Sequence, residues 1–294
     1  MGLGDQGRLD SYTQMFGVFG DPVRHSRSPV MMNRAFQATG VNGAYAAFHV
    51  KPAELKQAVE GIRALGFRGV NVTIPHKVEV MNYLDEIDEG ARFIGAVNTI
   101  VNENGMLTGY NTDGIGYVRS LKEETGITLK GSRIVIIGAG GAAKGVAYAL
   151  AKESPERIVI VNRTEEKARE LADNLSALVD AEGMGLAALE NSKESCTLVV
   201  NTTSVGMFPD IGELPAPTSW LKPGMTVSDL IYNPLETRWL KEAAEAGCVT
   251  HGGLGMFIYQ GAFAFEYWTG IEAPAAVMRE TVLASLLQAS TAKS

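Results

Sequence analysis

A chain of 294 residues, 46% hydrophobic and 20% charged, has the make-up of an ordinary soluble globular protein with material for two domains. Its net charge of −7 argues against a nucleic-acid or anionic-membrane surface. Two cysteines, Cys196 and Cys248, make neither a disulfide framework nor a metal cluster, and the four histidines lack ligand spacing, so reduced thiols and no metal are expected.

The first 14 residues are polar, without the apolar centre of a signal peptide or anchor, and no apolar run has membrane-spanning length. A cytoplasmic protein is expected. Residues 16–19 then predict a strand and residues 29–38 a helix. Between them lies His25-Ser-Arg-Ser-Pro29. Ser28 reads as the helix cap with Pro29 at the first helical position, and the Ser26 and Ser28 hydroxyls point at one spot, where a cap can also bind a carboxylate or hydroxyl.

A second strand is predicted at 44–50, an amphipathic helix opened by Pro52 at 54–65, and a third strand at 69–74, closed by Pro75. That strand leads into Asn71-Val-Thr-Ile-Pro-His-Lys77, where Lys77 reads either as a residue held at the sheet edge or as a solvated surface lysine. Short strands at 96–101 and 106–110 flank Asn104-Gly105, a favoured hairpin turn. Gly95-Ala-Val-Asn-Thr99 and Gly109-Tyr-Asn-Thr-Asp113 put Asn98, Thr112 and Asp113 at loops, where each is a candidate ligand or a turn residue bonding its own backbone.

A connecting helix is predicted at 114–124. The β-branched run Ile134 to Ile137 then leads into Gly138-Ala-Gly-Gly-Ala142 and an Ala-rich helix. The spacing Gly138-x-Gly140-x-x-Ala143 is that of a dinucleotide site: a tight turn, close backbone approach to the pyrophosphate, and a small residue where helix meets strand. Amides at the helix start face the phosphates. The next strand ends in Asn162-Arg-Thr164, with Lys167 one turn later. An acid at this tip binds the ribose 2′-hydroxyl of NAD; Arg163 and Lys167 instead attract a 2′-phosphate, so NADP is the expected cofactor. Later strands at 197–200 and 226–230 continue a parallel, doubly wound sheet, and helices at 254–268 and 274–289 close the chain. Gln260 sits in an otherwise apolar, aromatic helix, where its amide needs either a substrate hydroxyl or a core carbonyl as partner.

With these segments in order, the sequence resembles the shikimate dehydrogenase family across nearly the whole chain. The matches are His25-Ser-Arg-Ser-Pro29, Asn71-Val-Thr-Ile-Pro-His-Lys77, Gly95-Ala-Val-Asn-Thr99, Asn111-Thr-Asp113, Gly138-Ala-Gly-Gly-Ala142, Asn162-Arg-Thr164, Asn201-Thr-Thr-Ser-Val-Gly-Met207, Asp229-Leu-Ile-Tyr-Asn-Pro234 and Gly255-Met-Phe-Ile-Tyr-Gln260. The resemblance implies an α/β protein with a substrate-binding domain (1–113), a Rossmann-type NADP-binding domain (114–250) and C-terminal helices (251–294) returning to the first domain, with substrate and cofactor meeting in a cleft between the two. It implies reversible NADPH-dependent reduction of 3-dehydroshikimate to shikimate, on the way to aromatic amino acids. Lys77 and Asp113 would be the catalytic pair; Ser26, Ser28, Thr73, Asn98 and Gln260 would hold the substrate, bordered by Tyr232. Gly138, Ala139, Gly140, Gly141 and Ala142 would cradle the cofactor phosphates, and Asn162, Arg163, Thr164 and Lys167 the adenosine ribose. Asn201-Thr202 and Ser204 to Met207 would line the nicotinamide side, and Gly253 would also belong to the cofactor site. Lys167 departs from the arginine that many relatives carry, which keeps the charge but loses the planar fork. A broader quinate/shikimate dehydrogenase and an idle NADP(H) sensor are the alternatives, and monomer and homodimer both remain open.

Overall fold

The computed structural model describes residues 9–189 and 196–291, with side chains to residue 288. It is a mixed α/β protein of two compact units, one running to Thr112 and resuming at Gln260, the other spanning Asp113–Tyr259.

The first unit contains β1 (Gln14–Gly20), α1 (Ser28–Thr39), β2 (Gly43–His49), α2 (Leu55–Ala64), β3 (Gly69–Val72), β4 (Glu86–Ile87), α3 (Glu89–Ile94), β5 (Thr99–Glu103) and β6 (Met106–Tyr110). Its six-stranded sheet has the order β2-β1-β3-β5-β6-β4. β1 is parallel to β2 and β3, and β5 is antiparallel to both its neighbours. The hairpin at Asn104-Gly105 forms with φ of 54° and 94°, the left-handed pair that such a two-residue turn needs. All four residues of β3 are buried, as a strand covered on both faces must be. One face packs on α2 through Val59, Ile62, Val70 and Ile100. On the other, Phe16, Phe36, Tyr45, Phe265 and Trp268 form a chain of ring contacts. Gly69 is required there: a Cβ would lie 1.9 Å from Nε1 of Trp268, which donates to the Ile100 carbonyl at 2.9 Å.

The second unit contains α4 (Asp113–Thr125), β7 (Arg133–Ile137), α5 (Gly141–Ala151), β8 (Arg157–Asn162), α6 (Glu165–Leu175), β9 (Ala181–Gly185), β10 (Leu198–Asn201), β11 (Thr226–Asp229), α7 (Arg238–Glu245) and β12 (Val249–His251). Its six strands run in the order β12-β11-β10-β7-β8-β9, all parallel. This is a doubly wound sheet whose direction of winding reverses between β7 and β10, the place where such sheets bind ligands. α8 (Leu254–Thr269) and α9 (Ala275–Thr291) complete the chain. α9 packs on α1, where Arg27 Nη1 donates to Ser285 Oγ at 2.7 Å.

Several boundaries differ from the sequence reading. The third strand stops at Val72, because the Thr73 amide turns to the Phe19 carbonyl and the His76 amide closes on Thr73. The fifth begins at Thr99, because the amides of Ala96 and Val97 are already taken by Ala91 and Lys77 carbonyls. α3 was not expected at all; Asp88 caps it by accepting from the Gly90 amide at 2.9 Å, and Gly95 ends it at φ 73°.

Candidate active site

In the parallel sheet, β7 delivers the glycine turn. Gly138 has φ +112°, and its amide donates to the Val161 carbonyl at 2.8 Å. Thr202, just beyond β10, crosses the reversal point: both its amide and its hydroxyl donate to the Ile137 carbonyl, at 2.9 and 2.7 Å. Beyond that the chain opens. A Cβ on Gly140 or Gly141 would meet nothing within 4 Å. α5 starts at Gly141 without a side-chain cap and without an acid in its first turn. Its leading amides therefore lack protein acceptors and carry the positive end of the helix dipole, which suits a pyrophosphate. Ala139 and Ala142 flank this opening, whereas Ala143 is fully buried. A Cβ on Gly114 would lie 2.1 Å from the Gly145 carbonyl, so α4 and α5 touch backbone to backbone.

At the tip of β8, Asn162 Nδ2 donates to the Thr164 carbonyl at 2.8 Å and holds the turn. Arg163, Thr164 and Lys167 are exposed, and Thr164 heads α6 without a side-chain cap. Among the described residues neither Arg163 nor Lys167 forms an ion pair, while the nearby Glu165 is drawn off by Arg169. Two cations are thus available to a phosphate monoester at this tip.

The ends of β10 and β11 are joined by buried polar groups. Asn201 Nδ2 donates to Asp229 Oδ1 at 3.1 Å, and the other Asp229 oxygen accepts from Thr237 Oγ1 at 2.8 Å. Burial pushes the Asp229 carboxyl up to about 6 despite these donors. Ser204 and Met207 lie on the exposed loop that follows, the Met207 amide closing on the Ser204 carbonyl at 3.1 Å. Tyr232 stacks on Phe257 with centroids 5.3 Å apart. Gly253 lets two segments meet, since a Cβ there would be 2.0 Å from the Leu230 carbonyl oxygen.

In the mixed sheet, buried polar side chains run in an unbroken line. The Ser28 hydroxyl bonds to Tyr45, whose acidity burial suppresses. Tyr45 donates to Asn71 Oδ1 at 2.8 Å, and Asn71 Nδ2 reaches Thr99 Oγ1 at 3.1 Å. Thr99 donates to Asn98 Oδ1 at 3.0 Å, which also accepts from the Thr112 amide at 2.9 Å. Asn98 Nδ2 donates to Thr112 Oγ1 at 3.0 Å, and that hydroxyl donates to the Gln260 carbonyl at 3.0 Å. Asn98 is 3% exposed, so much of its bonding capacity serves the protein itself.

The serine pair departs from expectation. Ser28 lies inside α1 rather than capping it, and it is Ser26 Oγ that accepts from the Ser28 amide, at 3.2 Å. The hydroxyls therefore have different protein partners, because Pro29 sits at the second helical position and moves the cap one residue back. Thr73 fits against Gly20, where a Cβ would be 2.4 Å from its methyl carbon. Lys77 is half-buried and follows a pinned turn: buried His76 donates through Nε2 to the Val50 carbonyl at 2.7 Å, and the Lys77 carbonyl accepts from the Val97 amide at 2.8 Å. Asp113 is the first residue of α4, where the helix dipole favours a carboxylate. Gln260 is half-buried on α8.

Sequence reasoning assigned no role to Tyr45, Thr99, Asp229 or Thr237. Asp229 carried a signal, an acid at the end of an apolar strand; Tyr45 carried none. Among the described residues, no three His, Cys, Asp or Glu side chains cluster as metal ligands, and no helix is long and apolar enough to cross a membrane.

Known proteins resemble this chain in sequence and fold. Residues 18–100 match the family described as shikimate dehydrogenase substrate binding domain, 120–206 match shikimate / quinate 5-dehydrogenase, and 253–283 match shikimate 5′-dehydrogenase C-terminal domain. A shikimate dehydrogenase (NADP(+)) of Geobacillus sp. (strain WCH70) is 51% identical over 93% of this chain and 99% of its own length. Shikimate 5-dehydrogenase from Listeria monocytogenes, solved with shikimate and NAD, superposes with a TM-score of 0.90 at 39% identity, covering 94% of this chain and 98% of that one. The Thermus thermophilus enzyme, solved with NADP(H) and shikimate, gives a TM-score of 0.82 at 37% identity, over 91% and 98%.

Proposed function

The chain belongs to the shikimate dehydrogenase family, and from that premise we propose that it works through a Lys77/Asp113 acid–base pair. Its reaction is the reversible NADPH-dependent reduction of 3-dehydroshikimate to shikimate, a step of aromatic amino acid biosynthesis. The observation that carries the cofactor assignment is the opening at Gly140 and Gly141 under an uncapped helix, with Arg163 and Lys167 at the next strand tip unpaired among the described residues.

Gly138 to Ala142 hold the pyrophosphate by backbone amides, and Asn162 to Thr164 with Lys167 hold the 2′-phosphate ribose. Thr202, Ser204, Met207 and Gly253 border the nicotinamide. Ser26, Ser28, Thr73, Asn98 and Gln260 hold the substrate carboxylate and hydroxyls, with Tyr232 alongside. When bound, NADPH supplies the hydride. In the reductive direction the Lys77 ammonium donates to the substrate carbonyl oxygen, stabilises the charge developing there and delivers the proton; Asp113 is the second member of the acid–base pair. In the oxidative direction the same pair takes the hydroxyl proton away.

The protein acts in the cytoplasm as a monomer or homodimer, its thiols reduced; Cys196 and Cys248 are unbridged. Substitution of Lys77 by Ala tests the pair. Turnover should fall by about 10² to 10⁴ with NADP affinity retained. Near-normal turnover would remove Lys77 from the chemistry.

A further inference from the structure

Asp229 has none of the roles assigned above. It is fully buried at the end of β11, among segments that each carry a proposed ligand contact. Its Oδ1 accepts from Asn201 Nδ2 and from the Ile231 amide, both at 3.1 Å, and its Oδ2 from Thr237 Oγ1 at 2.8 Å. Asn201 passes the restraint on. Its Oδ1 accepts from the Thr203 amide at 3.0 Å and the Thr203 hydroxyl at 2.7 Å, while Nδ2 also reaches the Val205 carbonyl at 3.3 Å. The turn so fixed bears Thr202 and Ser204. The Ile231 carbonyl in turn accepts from the Gly253 amide at 3.1 Å, and Tyr232 is the next residue.

We propose that Asp229 is a positioning residue for NADP(H), its ionised carboxylate holding residues 201–205 and 230–232 in the arrangement that binds the cofactor. The inference rests on the cofactor contacts assigned under the proposed function.

All three protein groups on the carboxylate are donors, so only the ionised form satisfies each of them. A proton on Oδ1 would confront the Asn201 and Ile231 donors. A proton on Oδ2 would force the Thr237 hydroxyl to turn from donor to acceptor, although Thr237 Oγ1 already accepts from the Leu240 amide at 3.3 Å. Burial raises the carboxyl to about 6, which brings the change into an accessible range of pH. Other titratable groups flank it. Tyr117 on α4 is made less acidic by its own burial and then by Asp229. His251 on β12 lies between the Ser120 and Ser228 hydroxyls at 2.8 and 2.9 Å, with Glu124 at 3.9 Å. On α7, Arg238 pairs with Glu242 at 2.7 Å near the surface.

The test is the calorimetric affinity of the full chain for NADP from pH 5 to pH 8, wild type against Asp229→Asn. An amide can keep its oxygen toward Asn201 and Ile231 and its nitrogen toward Thr237, so it imitates the protonated acid at every pH. Every titration other than that of Asp229 is common to both proteins, and the ratio of dissociation constants isolates Asp229. That ratio should be near one at pH 5 and rise to about tenfold at pH 8, the worth of a charge-assisted hydrogen bond. A ratio flat across the range would overturn the proposal, reducing Asp229 to a purely structural group. A wild type that binds no NADP would overturn the functional reading beneath it, and the inference with it. Should Asp229→Asn fail to fold, Thr237→Val removes one donor from the ionised form and should move the midpoint of the affinity profile to higher pH, while Thr237→Ser leaves it in place. An unmoved midpoint in Thr237→Val would contradict the assignment equally.

Discussion

The hydroxyl of Thr202 occupies the space that any side chain on Gly138 would need: its Oγ1 lies 2.4 Å from the position of a Cβ there. The two residues follow β7 and β10, neighbouring strands on either side of the winding reversal. The glycine turn is therefore crowded by the protein at Gly138 and open at Gly140 and Gly141.

Gly138→Ala and Gly140→Ala should consequently fail in different ways. At φ +112°, and against Thr202, an alanine at 138 should cost about 1–3 kcal/mol of stability as well as cofactor affinity. At 140, with φ −85° and nothing within 4 Å, alanine should leave the fold nearly as stable as before, within about 1 kcal/mol. Its NADP affinity should fall by roughly tenfold or more, because the added methyl stands where the pyrophosphate approaches. Equal NADP affinity for Gly140→Ala and the wild type, measured by calorimetry, would remove the cradle assignment.

Arg163→Ala should discriminate between the two nicotinamide cofactors. The exposed guanidinium has no carboxylate partner among the described residues, so its removal leaves the fold unstrained. Loss of a charge-assisted contact to the 2′-phosphate should weaken NADP by roughly 10- to 100-fold and NAD hardly at all. Comparable weakening of both would place Arg163 elsewhere on the cofactor.

Asp229 should also leave its mark on stability. Its carboxyl is raised from an ordinary 3.8 to about 6, so the folded state binds this proton more tightly than the unfolded chain does. The resulting stabilisation is complete below the ordinary value and is lost as pH rises through about 6, at most about 3 kcal/mol. In denaturant titrations, the stability of Asp229→Asn relative to the wild type should therefore climb between about pH 4 and pH 7. A constant difference would mean that the carboxyl is not raised. A buried charge that lowers stability while ordering a ligand site is a recognised compromise between the two demands.

The parts of this protein that could be read in its sequence are those set by short-range rules. Asn104-Gly105 fixes a hairpin and Gly138 a tight turn after β7, because only a few backbone conformations suit those residues. The exposed cations Arg163 and Lys167 were legible from the position of the β8 tip. The serine pair misled, since a cap at Ser28 and a cap one residue earlier have the same composition, and the choice depends on Ser28 meeting Tyr45. The polar line from Ser28 to Gln260 was hidden for a related reason. Its members come from six separate segments, and Tyr45 and Asn71 are 26 residues apart in sequence yet 2.8 Å apart in the fold. Nor does an aspartate at a strand end announce whether it will face solvent or, as Asp229 does, three buried donors.

The reaction itself is tested by nicotinamide absorbance over time, with shikimate or quinate as donor and NADP or NAD as acceptor. Rapid reduction with shikimate and NADP, far exceeding the other three pairings, is the predicted result. Absence of turnover with every pairing, in a protein that still binds NADP tightly, would contradict the account and leave a cofactor-binding protein without the chemistry.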